Sequence, residues 1–504
     1  MFSIFDDGLF APCPAPFNMA QHVLQAGTAA PDKVALHVVS QTAVENWTFA
    51  QLHAAVAGTA TGLLQAGLKP GDIVLMRLGN TVDFPIAYLA CLMAGMVPVP
   101  TSAALTAKET AYVMDQVAPR AVLHAPDVAC PPHPLIVSLQ ALQSFRTLPP
   151  AAFDLGDPDR LGYIIFTSGT SGAPRAVAHA HRAIWARQMM FDGWYGLRAD
   201  DRVMHAGAFN WTYTLGTGLM DPWTRGATAL IPASGTLPEV LPDLLRTHCA
   251  TIFAGAPGVY RQVLQRADDV RVPTLRHGLS AGEKLPQAVA QQWNERTGCP
   301  VLEAYGMSEC STFVSHSPDS TAGAATLGRP QSGRRVALVQ DGRPVALGCE
   351  GTIAVHKSDP GLMLGYYNAP QETADRFAGD WFLTGDQGVM DAQGAITYCG
   401  RNDDMMNAGG FRVSPIEVEN VLVHHPGITA IAATEVEVKQ DTRIIAAFYT
   451  GPVALDVAVL EAYVTDKLAR YKQPRLYVHL SELPLGANGK ILRRVLRDRY
   501  KRPQ

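Results

Sequence analysis

A loop of small hydroxyl residues and glycines follows an apolar run and has the composition of a phosphate-binding loop. The run is Gly162–Ile165, and residues 166–175 read Phe-Thr-Ser-Gly-Thr-Ser-Gly-Ala-Pro-Arg. Such a loop can direct backbone N–H groups and hydroxyls towards a polyphosphate, Gly169 and Gly172 permit close approach, and Arg175 supplies positive charge. No Gly-Lys-Ser/Thr follows, so the ordinary P-loop pattern is excluded. On its own, a loop of this composition is more often a simple turn.

Other segments carry residues suited to nucleotide and metal chemistry. The run Glu-Ala-Tyr-Gly-Met-Ser-Glu ends at Glu309, whose carboxylate could hold Mg²⁺, and it contains Tyr305, which could stack on a base. Thr-Gly-Asp ends at Asp386, in a strand-to-turn position suited to binding ribose hydroxyls. Gly-Arg-Asn-Asp-Asp contains Arg401, and Gly-Ala-Asn-Gly-Lys ends at Lys490, just before a helix that we expect near residue 491. Each segment alone also has an ordinary explanation, such as a buried tyrosine or a loop lysine.

The elements that must position these residues alternate between short apolar strands and longer helices. This alternation predicts parallel sheets with crossover helices. Expected strands are 34–39, 73–77, 162–165, 229–231, 251–253 and 301–303, and expected helices are 49–64, 83–94, 237–247 and 258–266. The turn at 67–72 has closely spaced glycines and a proline.

After about residue 327 the expected strands become shorter and the glycines more closely spaced. Closely spaced glycines there predict an antiparallel β region, and helices are expected at 415–424 and 455–469. We therefore predict a large domain at 1–400 and a small α+β domain at 401–504. The predicted fold class is α/β, with parallel sheets packed by helices, a β region and this small C-terminal domain.

Composition excludes several classes of protein. The 504 residues are 47% hydrophobic and 17% charged with a formal charge of −4, which indicates a globular protein of two or more domains and no nucleic-acid partner. The eight cysteines are scattered, which argues against a disulfide framework or a zinc site and favours the cytoplasm. The most apolar stretch, 85–97, is shorter than the roughly 20 residues that span a bilayer, so no membrane association is expected.

Taken in order, the motifs resemble one family along nearly the whole chain: the adenylate-forming superfamily of acyl-CoA synthetases, peptide-synthetase adenylation domains and firefly luciferase. Its TSGTTGxPKG, YGxTE, TGD and GRxDD patterns stand here as TSGTSGAPRA, YGMSE, TGD and GRNDD, and its C-terminal lysine loop as GANGK. Several segments are most similar to benzoate-CoA ligases and medium-chain acyl-CoA synthetases. Two departures stand out, because the family's usual Lys and Gly are Arg175 and Ala176 here.

The resemblance implies a role for each motif residue. The phosphates of ATP are expected to be held by Thr167, Ser168, Gly169, Thr170, Ser171, Gly172 and Arg175. The rest of the nucleotide is expected against Ala281, Gly282, Glu283, Tyr305, Gly306, Ser308, Asp386 and Arg401. Glu309 and Thr167 are expected to bind Mg²⁺ and to be catalytic, and the backbone at Gly409 and Gly410 to line the coenzyme A tunnel.

Lys490 is the predicted catalytic residue for adenylation. When a carboxylate attacks the α-phosphorus, negative charge gathers on the phosphoryl and incoming oxygens, and a fixed ammonium stabilises that transition state. The attacking carboxylate is already ionised at pH 7, so this step needs no general base. By resemblance, Asp403 is a hinge about which the C-terminal domain swings, withdrawing Lys490 before thioester formation.

The acyl pocket is expected, again by resemblance, in the segment 205–216. Its aromatic and small residues favour an aryl or a small to medium aliphatic acid over a long chain, although these aromatics could also be ordinary core. The expected pocket residues are Phe209, Asn210, Trp211, Tyr213 and Gly216.

The leading interpretation is an acid–thiol ligase that uses ATP, Mg²⁺ and coenzyme A. One alternative is a stand-alone adenylation enzyme that loads the thiol of a separate carrier protein. Another is a nucleotide-binding protein that has lost catalysis, which the departures at Arg175 and Ala176 suggest and the presence of Glu309 and Lys490 opposes. The oligomeric state is left open.

Overall fold

The structure is a computed structural model of the chain, and it describes residues 1–8, 10–167, 174–319, 323, 325–401, 406–408, 411–439, 442–465, 467–485 and 491–500. The chain divides into two compact units. The larger unit comprises Phe5–Val336 and Val355–Phe382, and the smaller unit comprises Met1–Ile4, Ala337–Ala354 and Leu383–Gln504. The domain boundary predicted at residue 400 stays a prediction.

The helices and strands of both units follow in chain order. The strands are β1 (Ile4–Asp6), β2 (Val34–Val39), β3 (Val44–Thr48), β4 (Ile73–Arg77), β5 (Val97–Pro100), β6 (Ala121–His124), β7 (Ile136–Ser138), β8 (Leu161–Phe166), β9 (Ala176–Ala180), β10 (Arg202–His205), β11 (Thr228–Pro232), β12 (Ile252–Ala254), β13 (His277–Ala281), β14 (Val301–Met307), β15 (Ser311–Ser315), β16 (Arg329–Pro330), β17 (Arg335–Gln340), β18 (Arg343–Pro344), β19 (Glu350–His356), β20 (Gly365–Tyr366), β21 (Phe377–Ala378), β22 (Trp381–Met390), β23 (Ile396–Arg401), β24 (Met406–Ala408), β25 (Phe411–Val413), β26 (Ala430–Lys439), β27 (Thr442–Thr450) and β28 (Leu476–His479). The α-helices are α1 (Met19–Leu24), α2 (Phe49–Gln65), α3 (Asp83–Met93), α4 (Ala107–Val117), α5 (Leu139–Phe145), α6 (Ala183–Ala186), α7 (Thr212–Leu215), α8 (Asp221–Arg225), α9 (Leu241–Thr247), α10 (Pro257–Arg266), α11 (Gln287–Thr297), α12 (Pro370–Ala374), α13 (Pro415–Leu422), α14 (Val457–Thr465) and α15 (Arg493–Arg499). Short 3₁₀ or π turns occupy Gln25–Ala29, Phe191–Tyr195, Gly216–Met220, Pro238–Val240 and Arg470–Lys472.

The main sheet of the larger unit has, in the described part of the chain, nine strands in the order β16-β15-β14-β13-β12-β10-β11-β2-β3. Its central strands run parallel, and antiparallel strands lie at both edges. Parallel strands need crossover connections, and helices such as α9, α10 and α11 supply them here. The prediction of parallel sheets packed by helices is therefore confirmed.

Two smaller sheets complete the larger unit. Strands β5, β4, β6 and β7 form a parallel sheet, and β20, β9 and β8 form an antiparallel one. Helix α2 starts at a capping box, because Gln51 N–H donates to the Thr48 hydroxyl while the Gln51 side chain accepts from Thr48 N–H. The predicted turn before β4 is present, with positive φ at Gly67 and Gly71.

One predicted helix is shorter in the structure. The segment expected to be helical over 237–247 consists of a 3₁₀ turn, Pro238–Val240, followed by α9. Pro242 stands in the first turn of α9, where its missing N–H costs no intrahelical hydrogen bond, so the α-helix begins at Leu241. The other predicted helix ends lie within a few residues of those observed, except that α14 covers only the middle of the range predicted over 455–469.

The smaller unit contains the antiparallel region predicted after residue 327 and an α+β segment. Strands β17 and β18 pair antiparallel, as do β22 and β23. Further along, β26, β27 and β28 form a sheet whose apolar side chains cluster with those of α13 and α14. These features confirm the α/β fold class with a small α+β C-terminal region, whereas the mobility of that region stays a prediction.

Across the described ranges, every helix is too short or too polar to cross a bilayer.

Candidate active site

The base of the candidate phosphate loop is held by two antiparallel strands. Strand β8 leads into the loop and β9 leaves it, with Phe166 opposite Ala176. Thr167 N–H donates to the Arg175 carbonyl at 3.0 Å, and Arg175 N–H lies 3.4 Å from the Thr167 hydroxyl oxygen. The predicted phosphate-binding residues between these two positions, Ser168, Gly169, Thr170, Ser171 and Gly172, lie outside the described residues.

Arg175, which replaces the family's usual lysine, has two side-chain partners. Its Nε lies 2.9 Å from Oε2 of Glu372, and its guanidinium lies 5.2 Å from the centre of the Tyr366 ring. The Arg175 side chain as a whole is about one-third exposed. Its contact with phosphate stays a prediction.

Glu309 lies in the tight hairpin between β14 and β15. Its Oε1 accepts a hydrogen bond from the Tyr366 hydroxyl at 2.7 Å, and the side chain is buried. A Cβ at Gly306 would lie 2.1 Å from the Ser311 carbonyl oxygen, so only glycine allows the two strands to approach this closely. Ser311 itself has a φ of +61°, which shows how sharply the chain turns after Glu309.

The donor set at this hairpin suits magnesium. No cluster of three or more His, Cys, Asp or Glu side chains that could hold a metal is found among the described residues. Mg²⁺ does not need such a cage, because it is commonly held by one or two carboxylates together with the phosphates of its substrate. The buried carboxylate of Glu309 is a hard oxygen ligand of the required kind. Thr167 follows β8 and carries a hydroxyl of the same kind, and its contribution to this site stays a prediction.

His179 on β9 fixes the backbone of the same hairpin. Its Nε2 donates to the Ser308 carbonyl at 2.7 Å, and its ring stacks on Tyr163 with centroids 4.8 Å apart. Burial lowers the pKa of His179 to about 4, so the ring is neutral near pH 7. Tyr305, predicted to stack on adenine, is half-buried and makes an edge contact with Phe313 at 5.3 Å.

The segment predicted to face the adenine follows β13. Ala281 ends that strand and is buried, and Gly282 has a φ of +96°. A Cβ at Gly282 would lie 2.6 Å from the Trp211 ring, so the loop and the predicted acyl segment are in close contact. Glu283, the third predicted residue, is half-buried.

The aromatic residues of the predicted acyl segment have different environments. Trp211 and Tyr213 contact each other edge to face at 5.2 Å, and the Tyr213 hydroxyl donates to the Leu279 carbonyl at 3.0 Å. Phe209 instead packs in the core 5.8 Å from Phe84 and is 1% exposed. Tyr213 is also buried in a core cluster, and the half-buried Trp211 packs against that cluster, so two of the three predicted pocket aromatics, Phe209 and Tyr213, are core residues. Asn210 is half-buried beside them.

A small cavity of about 20 Å³ adjoins this segment, which is room for about one water molecule. It lies between α7 of the acyl segment, the Glu309 hairpin and strands β8 and β9. Its lining residues are Tyr88, Tyr163, Ile165, His179, Ala183, Arg187, Thr212, Leu215, Met220, Ser308, Ser311 and Gly361.

A buried ion pair supports the hairpin and was not indicated by the sequence motifs. Arg187 donates to both carboxylate oxygens of Asp221, at 2.8 and 2.6 Å, and to the Ser311 hydroxyl at 2.5 Å. Asp221 is fully buried and also accepts from the Tyr195 hydroxyl at 2.7 Å. A Cβ at Gly216 would lie 2.3 Å from Arg187, which explains the glycine at this predicted pocket position. The partners are far apart in the chain, so spacing carries no signal for them.

The smaller unit holds the predicted ribose residue. Asp386 on β22 is opposite Arg401 on β23, with Oδ1 3.8 Å from a guanidinium nitrogen. The Tyr398 hydroxyl donates to the same carboxylate at 3.3 Å, and burial, followed by the charge of Asp386, raises the pKa of Tyr398. The Thr384 hydroxyl accepts from Asp386 N–H at 3.1 Å. Asp386 lies within β22, so the predicted strand-to-turn position is wrong, because the strand continues to Met390. These contacts orient the carboxylate, while its ribose role stays a prediction.

The remaining predicted residues cannot be placed. Lys490, Gly409, Gly410 and the hinge candidate Asp403 lie outside the described residues. Their predicted roles stay predictions.

Comparison with known proteins identifies the family. Residues 24–367 match the AMP-binding enzyme family, and residues 417–490 match the AMP-binding enzyme C-terminal domain. The benzoate–CoA ligase of Thauera aromatica is 31% identical over 469 residues, which cover 86% of each chain. The human mitochondrial acyl-coenzyme A synthetase ACSM2A is 28% identical over 96% of this chain and 91% of its own. The structure of ATP-bound MatB from Rhodopseudomonas palustris superimposes with a TM-score of 0.87 at 25% identity, covering 96% of this chain and 99% of that one.

The fold and the motif residues therefore define an adenylate-forming enzyme. The chain belongs to the AMP-binding enzyme family. It is an AMP-forming acid–thiol ligase, which uses ATP to join a carboxylic acid to coenzyme A through an acyl-adenylate.

Proposed function

We propose that this ligase activates an aryl, benzoate-like acid or a small to medium aliphatic acid and forms its coenzyme A thioester. The observation that carries the proposal is the contact of Trp211 with both Tyr213 and Gly282. These residues form an aromatic wall beside a loop in which even a methyl group at Gly282 would clash. Such a wall favours a flat or short acyl group, because apolar ligand sites are lined mainly by hydrophobic and aromatic side chains.

The name of the Thauera aromatica relative supports an aromatic acid, since benzoate is the acid that it joins to coenzyme A. Trp211 is half-buried, whereas Phe209 and Tyr213 are buried, so Trp211 is the pocket aromatic that we propose to contact the acid.

The chemistry proceeds in two steps. In the first, a carboxylate oxygen of the acid forms a bond to the α-phosphorus of ATP, the α–β phosphoanhydride bond breaks, and pyrophosphate leaves. In the second, the sulfur of coenzyme A bonds to the acyl carbon, the bond between that carbon and the phosphate oxygen of AMP breaks, the thiol proton is released, and AMP leaves. Both steps conserve atoms and charge without a further reactant.

We assign the roles of the motif residues as part of this proposal. Arg175 pairs with phosphate, Asp386 binds the ribose hydroxyls, and Lys490 stabilises the charge that develops during adenylation. Glu309 and Thr167 would hold Mg²⁺, which when bound neutralises charge on the phosphates. The C-terminal segment from residue 401 is proposed as a separate domain that carries Lys490.

The compartment is also part of the proposal. All eight cysteines are unpaired, and Cys91, Cys299 and Cys310 are buried. Unpaired cysteines support a reducing environment such as the cytoplasm.

The substrate is tested by incubating purified enzyme with ATP, Mg²⁺ and a panel of acids, with and without coenzyme A. The panel runs from acetate through medium-chain acids to substituted benzoates, and pyrophosphate and thioester are both measured. Thioester from benzoates or short acids, formed only with coenzyme A, supports the proposal. Turnover confined to long-chain acids contradicts the proposed substrate class. Pyrophosphate without thioester would instead favour a carrier-protein thiol as the acceptor.

The role of Lys490 is tested by Lys490→Ala in the same assay. Pyrophosphate release should fall by at least about 100-fold, since a charged group that acts in the transition state is lost. Lys108→Ala, on the exposed face of α4, is the matched control and should keep the parent's rate. Equal activity in the two variants would contradict the assignment of Lys490.

A further inference from the structure

Tyr366 joins two parts of the candidate site that the sequence motifs present separately. It is 5% exposed and lies on β20, the short strand that pairs with β9 at the end of the phosphate loop. Its hydroxyl donates to Glu309 Oε1 at 2.7 Å. The guanidinium of Arg175 lies over the same ring, 5.2 Å from its centre. One side chain therefore contacts both the phosphate-loop arginine and the candidate metal carboxylate.

The backbone around Tyr366 is fixed on both sides. Met363 N–H donates to the Glu309 carbonyl at 2.8 Å, and Tyr367 N–H donates to the Ala176 carbonyl at 2.8 Å. Tyr366 N–H itself donates to the hydroxyl of Thr373 at 2.8 Å. The backbone at Tyr366 is thus fixed between β9 and the hairpin by hydrogen bonds that do not involve the Tyr366 hydroxyl.

A buried carboxylate that binds a metal needs a partner that fixes its orientation. Mg²⁺ demands near-ideal octahedral geometry, so a carboxylate that can rotate binds it less well. Hydrogen bonds to metal-ligating carboxylates act in this way, and their loss typically costs about 10- to 100-fold in metal affinity or activity. A hydrogen bond to an ionised group is also stronger than one between neutral groups.

We infer that Tyr366 is the positioning residue of this ligase that orients Glu309 for Mg²⁺ and couples it to Arg175. This inference rests on the proposed role of Glu309. The hydroxyl holds one carboxylate oxygen, so that the carboxylate presents a fixed face to the metal. The guanidinium of Arg175 packs over the ring of the same tyrosine. The distance between this guanidinium and the Glu309 carboxylate is therefore held constant.

The decisive experiment is Tyr366→Phe, which removes the hydroxyl and keeps the ring. Pyrophosphate release is measured against free Mg²⁺ at fixed ATP, and the affinity of Mg·ATP is measured by calorimetry. We expect the half-saturating Mg²⁺ concentration and the Kd of Mg·ATP each to rise about tenfold, while the KM of the acid is unchanged. If Tyr366 only stabilised the fold, Tyr366→Phe would change the Mg²⁺ dependence and the KM of the acid together.

Tyr367→Phe is the matched control. It makes the same chemical change one residue away, where the side chain packs against a separate apolar cluster that includes Val97 and Val113. This variant should keep the parent's Mg²⁺ response. Equal Mg²⁺ responses in Tyr366→Phe and Tyr367→Phe would overturn the inference, whereas an inactive parent enzyme would overturn the proposed function instead.

A double-variant comparison tests whether Tyr366 acts through Glu309. The Kd of Mg·ATP is measured for Glu309→Gln with and without Tyr366→Phe, which needs binding but no turnover. If Tyr366 acts through the carboxylate, the second change adds less than about twofold to the first. If the two substitutions instead raise the Kd of Mg·ATP by independent factors that multiply, Tyr366 does not act through Glu309.

Discussion

Replacing Asp221 by asparagine removes the negative charge from a buried ion pair while keeping the shape of the side chain. Asp221 is fully buried, and its carboxylate accepts two hydrogen bonds from Arg187 and one from Tyr195. An asparagine amide offers one acceptor oxygen and one NH₂ group, so the NH₂ would face a donor of Arg187 or Tyr195. The arginine, whose side chain is 8% exposed, would also keep an uncompensated charge.

The expected loss of stability follows from these contacts. Removing one partner of a buried ion pair costs about 3–5 kcal/mol, because the other charge stays buried without compensation. With a urea slope of about 3 kcal/mol per molar, this loss lowers the unfolding midpoint by about 1–1.7 M. Replacing both partners by apolar residues, Arg187→Met with Asp221→Leu, should recover most of the loss, since neither charge is then buried.

The measurement is urea unfolding followed by tryptophan fluorescence, which reports on Trp194 and Trp223 in the cores of the same unit. The matched control is Asp243→Asn, which breaks the pair of Asp243 with Arg246 on α9. Those side chains are 59% and 31% exposed, so this pair contributes about 0–1 kcal/mol. Midpoint shifts of similar size in Asp221→Asn and Asp243→Asn would refute the reasoning from burial.

Two further predictions concern pH and nucleotide binding. His181 accepts a hydrogen bond from Met19 N–H through Nδ1, and burial, followed by the charge of Arg160, lowers its pKa to about 3 from 6.5. The His181 imidazole therefore binds a proton more readily in the unfolded chain than in the folded one. As a result, the free energy of unfolding decreases as the pH falls below 6.5. Between pH 7 and pH 4.5 this group lowers it by about 2.5 kcal/mol. His181→Gln should reduce the difference in unfolding free energy between those two pH values, and an undiminished difference would contradict the assignment. Asp386→Ala should raise the KM for ATP about 10- to 100-fold, because hydrogen bonds to a charged carboxylate are lost. The parent should discriminate against 2′-deoxy-ATP and the variant should not; equal discrimination by both would exclude contact with the 2′-hydroxyl.

Local patterns predicted the elements well where apolar runs end at glycine turns. Strands β2 and β4 have the bounds that their β-branched and apolar residues predicted, since Gly71 marks the beginning of β4. The predicted helix over 237–247 was too long, because periodicity did not register the effect of Pro242. Helix ends elsewhere differ by a few residues, as expected where neither a proline nor a glycine marks the boundary.

The candidate site was predictable only where its residues share a motif. Spacing along the chain could not distinguish Phe209 and Tyr213, which are buried in the core, from Trp211, which is half-buried. It also could not indicate Tyr366, which is 57 residues from its hydrogen-bond partner Glu309. Such contacts arise when separate strands meet in the fold, and a sequence pattern records only neighbours along the chain.

The two departures from the family pattern are each matched by their surroundings. Arginine is planar and stacks on aromatic faces better than lysine, and here Arg175 lies over Tyr366 while its Nε pairs with Glu372. Ala176 is 8% exposed and packs in an apolar cluster with Ile164, where a glycine would leave a methyl-sized void. Both residues thus fit the packing around them. The interpretation as a nucleotide-binding protein without catalysis is opposed instead by the family to which the chain belongs.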